Sequence, residues 1–480
     1  MRRLRRAAAR LSYAKMEVPE KVLKLSEAVR DAGGRALLVG GCVRDELMGR
    51  QPKDWDVEVY GIEPPKLREL LDQIGAVNIV GEAFTVYKLG ADLDVSLPRR
   101  ERKTGHGHRA FFIEGDPAMP IEDAASRRDF TINAILQDPL SGEILDPFHG
   151  RADLERKTLR AVSPDTFGED SLRVLRAAQF AARFEFEIDP QTIDLCRSID
   201  LSDLPAERIW GEIEKLLMRA RRPSIGLDWL RKLNAIEQIF PEIKALIDVP
   251  QDPEWHPEGD VFVHTLLVTN RAREVIDDLP YAKKVTVMLA ALCHDFGKPA
   301  TTEFVDGRLR SRGHEEAGVE PTLSFLERLN LHTVDGYDVR AQVLALVRDH
   351  LKPGEYYKKR DEVGDGAFRR LARRCELDLL YRVASADSLG RNADWVPREK
   401  WYDAAAQEWF IARARDLEVE EEAPAPFLLG RHLLEMGLEP GPCMGEITRA
   451  VYEMQLDGRV RTLAEAQAAA KEILAADEHR

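Results

Sequence analysis

Between about residues 25 and 155 the hydrophobic positions fall in short runs rich in β-branched and aromatic residues. The segments ALLVGG, WDVEVYG, FTVYKLG, DLDVSL and TINAILQD are each punctuated by Gly, Asp or Pro, and they predict strands. From about Leu154 the apolar residues recur at helical spacing instead, as in EDSLRVLRAAQFAARF and AERIWGEIEKLLMRA. That spacing continues almost to the end of the chain. The loop DVPQDPEWHPEGD (Asp248–Asp260), with its prolines, predicts a domain boundary. The acidic run EVEEEAPAPF predicts an extended linker, after which Leu428–Leu474 forms a small helical unit. The pattern is therefore α+β, with a small mixed sheet and helices first and helices alone thereafter.

Composition narrows the class without naming a function. The 480 residues, 44% hydrophobic and 32% charged, describe a folded, water-exposed protein long enough for several domains. The longest near-continuous apolar run, around Val285–Cys293, is too short to span a bilayer, so no membrane is expected as a partner. Cys42, Cys196, Cys293, Cys375 and Cys443 are odd in number and scattered, which points to a reducing cytoplasm and away from disulfides or a thiolate metal site. The arginine-rich start MRRLRRAAAR lacks the apolar core of a secretory signal and is expected to extend the first helix. A formal charge of −14 argues against nucleic acid only as an average. Basic clusters at Arg99–Arg109, Arg219–Lys232 and Lys358–Arg374 leave RNA binding open, because binding answers to local fields.

The stretch VGGCVRDELMGRQPKDWDVEVYG (Val39–Gly61) holds the first chemistry-bearing pattern. Alternation along a strand puts Asp54 and Asp56 on one face and Trp55 and Val57 on the other. Two like charges so close repel, and Mg²⁺, which takes oxygen ligands, would relieve them. Gly40 and Gly41 would let a phosphate approach backbone amides at the start of the following helix, with Arg44 adding a charge-assisted contact. The set suits nucleotidyl transfer; taken alone, a polar hairpin edge is the plainer reading. Further on, Asp170 and Arg173 stand three apart in a predicted helix and share a face, which Arg176 extends. A carboxylate accepts from the exocyclic amino group of cytosine or adenine, and a guanidinium donates to the ring acceptors beside it. A surface ion pair is the plainer alternative.

A second series lies on the helices: VHTLLV, LCHDFGK, RGHEEAG, VRDHL and SADSLGR, in that order. Imidazoles and carboxylates together suit Mn, Fe, Co, Ni or Zn, and an open position would activate water.

The order GGxVRD, DxD, RRDFTINAI, DPFHGRADL, EDSLRVLR and ERIWGEIEKLL resembles the class II tRNA nucleotidyltransferase and poly(A) polymerase family over about residues 35–245. The resemblance implies that Asp54 and Asp56 bind metal, with Asp94 as the third acidic group and Asp92 a weaker candidate for that role. It implies triphosphate contacts from Gly41 and Arg44, and nucleotide and ribose contacts from Arg128 and Asp129. It also implies that Asp170 and Arg173 select C and A, while many relatives have an arginine where this chain has Gln179. DPFHGRADL is expected to act as a hinge with His149 structural, and Pro98–Ala125 as a mobile loop. The histidine series resembles the HD phosphohydrolase domain. Its core ligands would be His264, His294, Asp295 and Asp387, with His314 and His350 as more variable ones. His106, His108, His256, His332 and His432 are given no catalytic role. Together the two resemblances imply a head at 25–155, a helical neck at 156–247, an HD domain at 255–395 and a helical tail at 427–480. They imply addition of CCA to the tRNA 3′ end from CTP and ATP, with a phosphohydrolase acting on 2′,3′-cyclic phosphates and other phosphate esters. The rival activities are CC-only or A-only addition, poly(A) synthesis, and a phosphohydrolase whose transferase-like head merely binds RNA.

Overall fold

The computed structural model describes residues 17–80, 86–103 and 111–477. The arginine-rich start, His106, His108 and part of the expected mobile loop lie outside these residues. The chain divides into two compact units, Met1–Pro205 with Trp229–Ile239, and Ala206–Asp228 with Phe240–Arg480. The expected neck is thus shared between them.

The first unit is built on a mixed sheet. Its strands are β1 (Arg35–Val39), β2 (Trp55–Tyr60), β3 (Val77–Val80), β4 (Val86–Leu89) and β5 (Leu93–Ser96), while β6 (Arg99–Lys103) and β7 (Phe111–Gly115) pair apart as a hairpin. The short β8 (Leu136–Gln137) and β9 (Ile144–Leu145) complete the sheet in the order β3-β4-β5-β2-β1-β8-β9. Only β2 and β5 run parallel; the other neighbours are antiparallel. Both faces of the sheet are covered, as alternation requires. Leu38, Val57, Val59 and Val95 join the core with Val22 and Leu25 of the Glu20–Asp31 helix and Leu67 and Leu71 of the Pro64–Asp72 helix. On the other face Leu37 and Val39 pack with Tyr60, Met119 and Leu136.

Two local expectations change. TINAILQD gives a 3₁₀ turn at Thr131–Asn133 followed by a two-residue strand. Thr131 donates to Asp153, and Asn133 donates to Asp129 and accepts from Arg44, so side-chain bonds compete with a strand ladder. Within the expected mobile loop, the described residues form the β6–β7 hairpin and a helix at Ile121–Ser126. In the expected hinge, Asp146 accepts from the amides of Gly150 and Arg151, which fixes the start of the Gly150–Arg156 helix.

The second unit is helical apart from one hairpin. The Tyr281–Cys293 helix is buried all round from Val285 onward, as a helix apolar on every side must be. It packs against Val261–Glu274, Val339–Asp349 and Leu377–Gly390. The unforeseen hairpin pairs Thr302–Val305 with Arg308–Ser311 around Asp306-Gly307, both with positive φ, as a two-residue hairpin turn needs. Helices Gly430–Glu435, Pro442–Leu456 and Leu463–Asp477 enclose a small core of Leu433, Ile447, Val451 and Ala470. Among the described residues no helix is long and apolar enough to cross a membrane.

Gly297 marks the tightest approach beside the histidine series. A Cβ there would lie 2.0 Å from the His314 carbonyl oxygen and 2.6 Å from the Gly318 amide nitrogen, both backbone atoms. Overpacking of this kind costs about 1–3 kcal/mol. Gly297→Ala is therefore expected to lower the urea midpoint of the second unit by a corresponding amount; an unchanged midpoint would show that the backbone yields freely there.

Candidate functional sites

In the first unit the Gly40 turn leads from β1 into the short Gly41–Leu47 helix. Gly40 has φ +70° and ψ −128°, a region that side-chain-bearing residues avoid. A Cβ on it would lie 3.1 Å from Arg128 Nη1 and 3.9 Å from Asp56 Oδ2, so the missing side chain brings a cation and a carboxylate up to the turn. Asp54 comes just before β2 and Asp56 within it, both exposed. The parallel register pairs Asp56 with Asp94 across β2 and β5. Asp94 lies 3.0 Å from Lys88 Nζ of the neighbouring strand, whereas Asp92 precedes β5 and pairs with Lys21. The Asp56 carboxyl is pushed above its ordinary pKa by partial desolvation, opposed by Arg128 and reinforced by Asp94 and Asp54. Its charge thus calls for more positive charge than the protein supplies. Asp54, Asp56 and Asp94 do not converge as closely as the acidic and imidazole groups of the second unit.

Arg44 also lies at the turn, its Nη2 3.5 Å from where a Cβ on Gly41 would stand. It is 4% exposed, donates to Asp45 at 2.7 and 2.8 Å and to Asn133 at 2.6 Å, and stacks 4.7 Å from the Phe184 ring centre. Arg128 lies nearer the turn, 3.6 Å from the Glu58 carboxylate. Asp129 is buried and accepts from Arg176 Nε and Nη2 at 2.8 and 2.6 Å, from Asn133, and from the Phe130 amide. Burial resists its charge, but Arg176, Asn133 and the amide outweigh burial and hold its pKa below the ordinary value.

Arg173 donates to the carbonyls of Thr166 and Arg127 at 2.8 and 2.6 Å, which fixes its guanidinium. The helix starts only at Leu172, so Asp170 precedes it and accepts from the Leu172 amide. The shared helical face inferred from the spacing of Asp170 and Arg173 is corrected accordingly: an aspartate favours the residues that open a helix because it satisfies a free amide there. Gln179 is buried, and its Nε2 has no hydrogen-bond partner among the described residues.

In the second unit all six predicted residues are buried and meet at one place. His264 Nε2 lies 3.1 Å from Asp387 and 3.3 Å from His294 Nε2, which is 3.2 Å from Asp295. His314 Nε2 lies 3.2 Å from His350 Nε2 and 3.4 Å from Asp295. The opposite nitrogens fix the tautomers. Nδ1 of His294, His314 and His350 donates to the carbonyls of Ala291, Ser311 and Val347 at 2.6–2.8 Å, and that of His264 lies 2.8 Å from Glu258. A carbonyl can only accept, so the first three Nε2 atoms are lone pairs pointing at one another and at carboxylates. Such a donor set is repulsive without cations, and two triads share Asp295: His264–His294–Asp295 and Asp295–His314–His350. Burial, aided by His314 and His294, pulls His350 down to about 3, so it is neutral at pH 7.

A cavity of about 180 Å³ opens onto this cluster, lined also by Trp255, His256, Lys298 and Arg391. Lys298 Nζ lies 2.8 Å from Asp295 and donates to Gln251 at 2.7 Å. His256, given no role from sequence, contacts Glu258 at 2.9 Å beside His264. Glu258, held by His256 and His264 against the cost of burial, falls to about 2 and stays charged. Lys298 could have been noticed three residues after Asp295 in HDFGK; Glu58 and Glu258 carry no comparable signal.

Residues 36–160 match the family described as the poly A polymerase head domain, 185–247 the probable RNA and SrmB-binding site of polymerase A, and 261–392 the HD domain. The chain is 37% identical over 375 residues to the multifunctional CCA protein of Xylella fastidiosa, covering 74% of this chain and 84% of the relative. To that of Stenotrophomonas maltophilia it is 36% identical over 404 residues, covering 79% and 93%. Among solved structures, the Bacillus stearothermophilus CCA-adding enzyme in complex with CTP superposes with a TM-score of 0.63 at 18% identity, over 96% of this chain and all of that one. The Thermotoga maritima CCA-adding enzyme complexed with tRNA gives 0.55 at 19% identity, over 96% of each. At these identities the structures establish a shared fold.

The lowered pKa of Asp129 has a definite sign. Its stabilisation is complete above the ordinary carboxylate value of about 4 and is lost as pH falls through the lower folded-state value. Asp129→Asn should cost about 2 kcal/mol at pH 7, in line with a charged hydrogen bond. Urea midpoints of wild type and variant should converge below pH 4; a constant gap down to pH 2.5 would contradict the assignment.

Proposed function

The chain belongs to the multifunctional CCA protein family, and from that membership we propose that it adds C, C and A to the 3′ end of tRNA, using CTP and ATP. The observation that supports this most is the register pairing of Asp56 with Asp94 beside the Gly40 turn, where desolvation and the neighbouring carboxylates push the Asp56 pKa up. Asp54, Asp56 and Asp94 would hold Mg²⁺, which when bound assists attack by the terminal tRNA hydroxyl and departure of pyrophosphate. In the reaction that hydroxyl oxygen bonds the α-phosphorus of the nucleotide, and the bond to pyrophosphate breaks.

Gly40 and Gly41 would leave room for the triphosphate, and Arg128, close to the turn, is the better-placed cation for it. Arg44 would act by position, tying the turn's helix to Asn133 and Phe184. Asp129 and Arg176 would set the nucleotide platform as a pair. Asp170 would accept from the amino group of cytosine or adenine, and Arg173, anchored by two carbonyls, would donate to the neighbouring ring acceptors.

The second unit we read as a phosphohydrolase acting on 2′,3′-cyclic phosphates and other phosphate esters. His264, His294, Asp295 and Asp387, with His314 and His350, would hold a transition metal (Ni, Mn, Co, Fe or Zn), which when bound supplies activated water. Lys298 and Arg391 would attract the phosphate into the cavity. Head 25–155, neck 156–247, HD domain 255–395 and tail 427–480 remain the proposed limits, supported by matches at 36–160, 185–247 and 261–392. Scattered, unpaired cysteines support a cytoplasmic setting.

Incubation with tRNA transcripts ending at the discriminator base, at C and at CC tests the reading. All three should be completed to CCA and no further; extension of a single substrate, or unlimited A tails, would refute it. Asp56→Ala should reduce nucleotide incorporation by at least a hundredfold and spare phosphate-ester hydrolysis, while Asp295→Ala should do the reverse.

A further inference from the structure

Trp255 is half exposed, at 49%, yet it lines the same cavity as Asp295, His314, His350, Asp387, Lys298 and Arg391. Leu309 and Leu351 are the other apolar residues of that wall, and the rest of it is polar or charged. A large apolar ring left partly in water at the edge of such a site is unusual, because tryptophan is on average well buried.

The backbone that carries the ring is held by its neighbours. The Trp255 amide donates to the Asp252 carbonyl at 3.1 Å, and its own carbonyl accepts from the Tyr402 hydroxyl at 3.3 Å. The Arg308 guanidinium sits 5.9 Å from the ring centre and is itself held by the carboxylates of Asp252 and Glu254. A clamped cation beside the indole favours one placement of the ring.

Cavity size says what the platform could serve. About 180 Å³ is less than the roughly 300–1,000 Å³ that encloses a whole drug-sized ligand. A phosphate drawn in by Lys298 and Arg391 would fit, whereas the base of a nucleotide would remain at the mouth. Aromatic side chains bind bases by stacking irrespective of sequence, since every base has a π-face.

Resting on the phosphohydrolase reading of this site, we infer that Trp255 stacks on the base of the substrate and makes the site selective for nucleoside phosphates over base-free phosphate esters. Trp255 is then a specificity residue that touches substrate away from the reacting phosphorus. The chemistry at the phosphate is unaltered by this assignment.

The test compares 2′-AMP with glycerol 2-phosphate as substrates of the full-length, metal-loaded protein. The ratio of kcat/KM for 2′-AMP to that for glycerol 2-phosphate should fall about tenfold in Trp255→Ala, chiefly through KM, and recover in Trp255→Phe. An unchanged ratio in Trp255→Ala, or an equal loss on both esters, would overturn the inference while leaving the phosphohydrolase standing. If the wild type hydrolyses neither ester, the phosphohydrolase reading fails and the inference falls with it. A binding measurement guards against misfolding of the alanine variant: 2′-AMP should quench part of the wild-type tryptophan emission, and Trp255→Phe should lack that part. Equal quenching in both would count against stacking.

Discussion

The first unit depends on one buried charge. Asp129 follows directly on Arg128, and its carboxylate is met by Arg176 from the Leu172–Phe184 helix and by Asn133 from the adjoining 3₁₀ turn. Asn133 in turn accepts from Arg44, whose guanidinium lies on the rings of Phe180 and Phe184. A charge placed there without partners would cost several kcal/mol, so these elements keep their positions together or not at all. Beside this network, Asp56 on β2 stands opposite Asp94 on β5, and desolvation together with the neighbouring carboxylates pushes the Asp56 pKa up.

The second unit meets the same constraint from the other direction. Buried imidazoles with their Nδ1 hydrogens occupied face carboxylates through lone pairs, and the resulting electron-rich pocket is stable only around positive charge. Lys298 and Arg391 supply part of it from the rim.

Sequence patterns revealed the elements that obey local rules. The apolar β-branched runs gave the main strands, and the 3.6-residue spacing gave the Leu172–Phe184 and Ala206–Arg219 helices. The six buried residues of the second unit's cluster were legible because they recur in an ordered series of motifs that resembles the HD domain; the His294-Asp295 pair alone would not have marked them. What sequence left obscure depends on long-range contacts. That Asp94 lies opposite Asp56 needed the β2–β5 register, and the bonds of Arg44 needed the placement of Asn133 and Phe184. Glu258 reaches His264 from a loop whose path no periodicity encodes. The Asp306-Gly307 hairpin is different: its Asp-Gly turn is a local signal set inside a stretch of otherwise helical spacing.

Three of the four histidines in the buried cluster of the second unit are oriented by the carbonyl three residues earlier in their own chain: Ala291 for His294, Ser311 for His314 and Val347 for His350. Main-chain oxygens are present whatever residue occupies those positions. The aim of these rings is therefore insulated from substitution in the surrounding side chains. His264 alone relies on a side chain, the Glu258 carboxylate. Tolerance to sequence drift around the pocket is thus uneven: wide on three sides, and narrow along the single loop that carries Glu258.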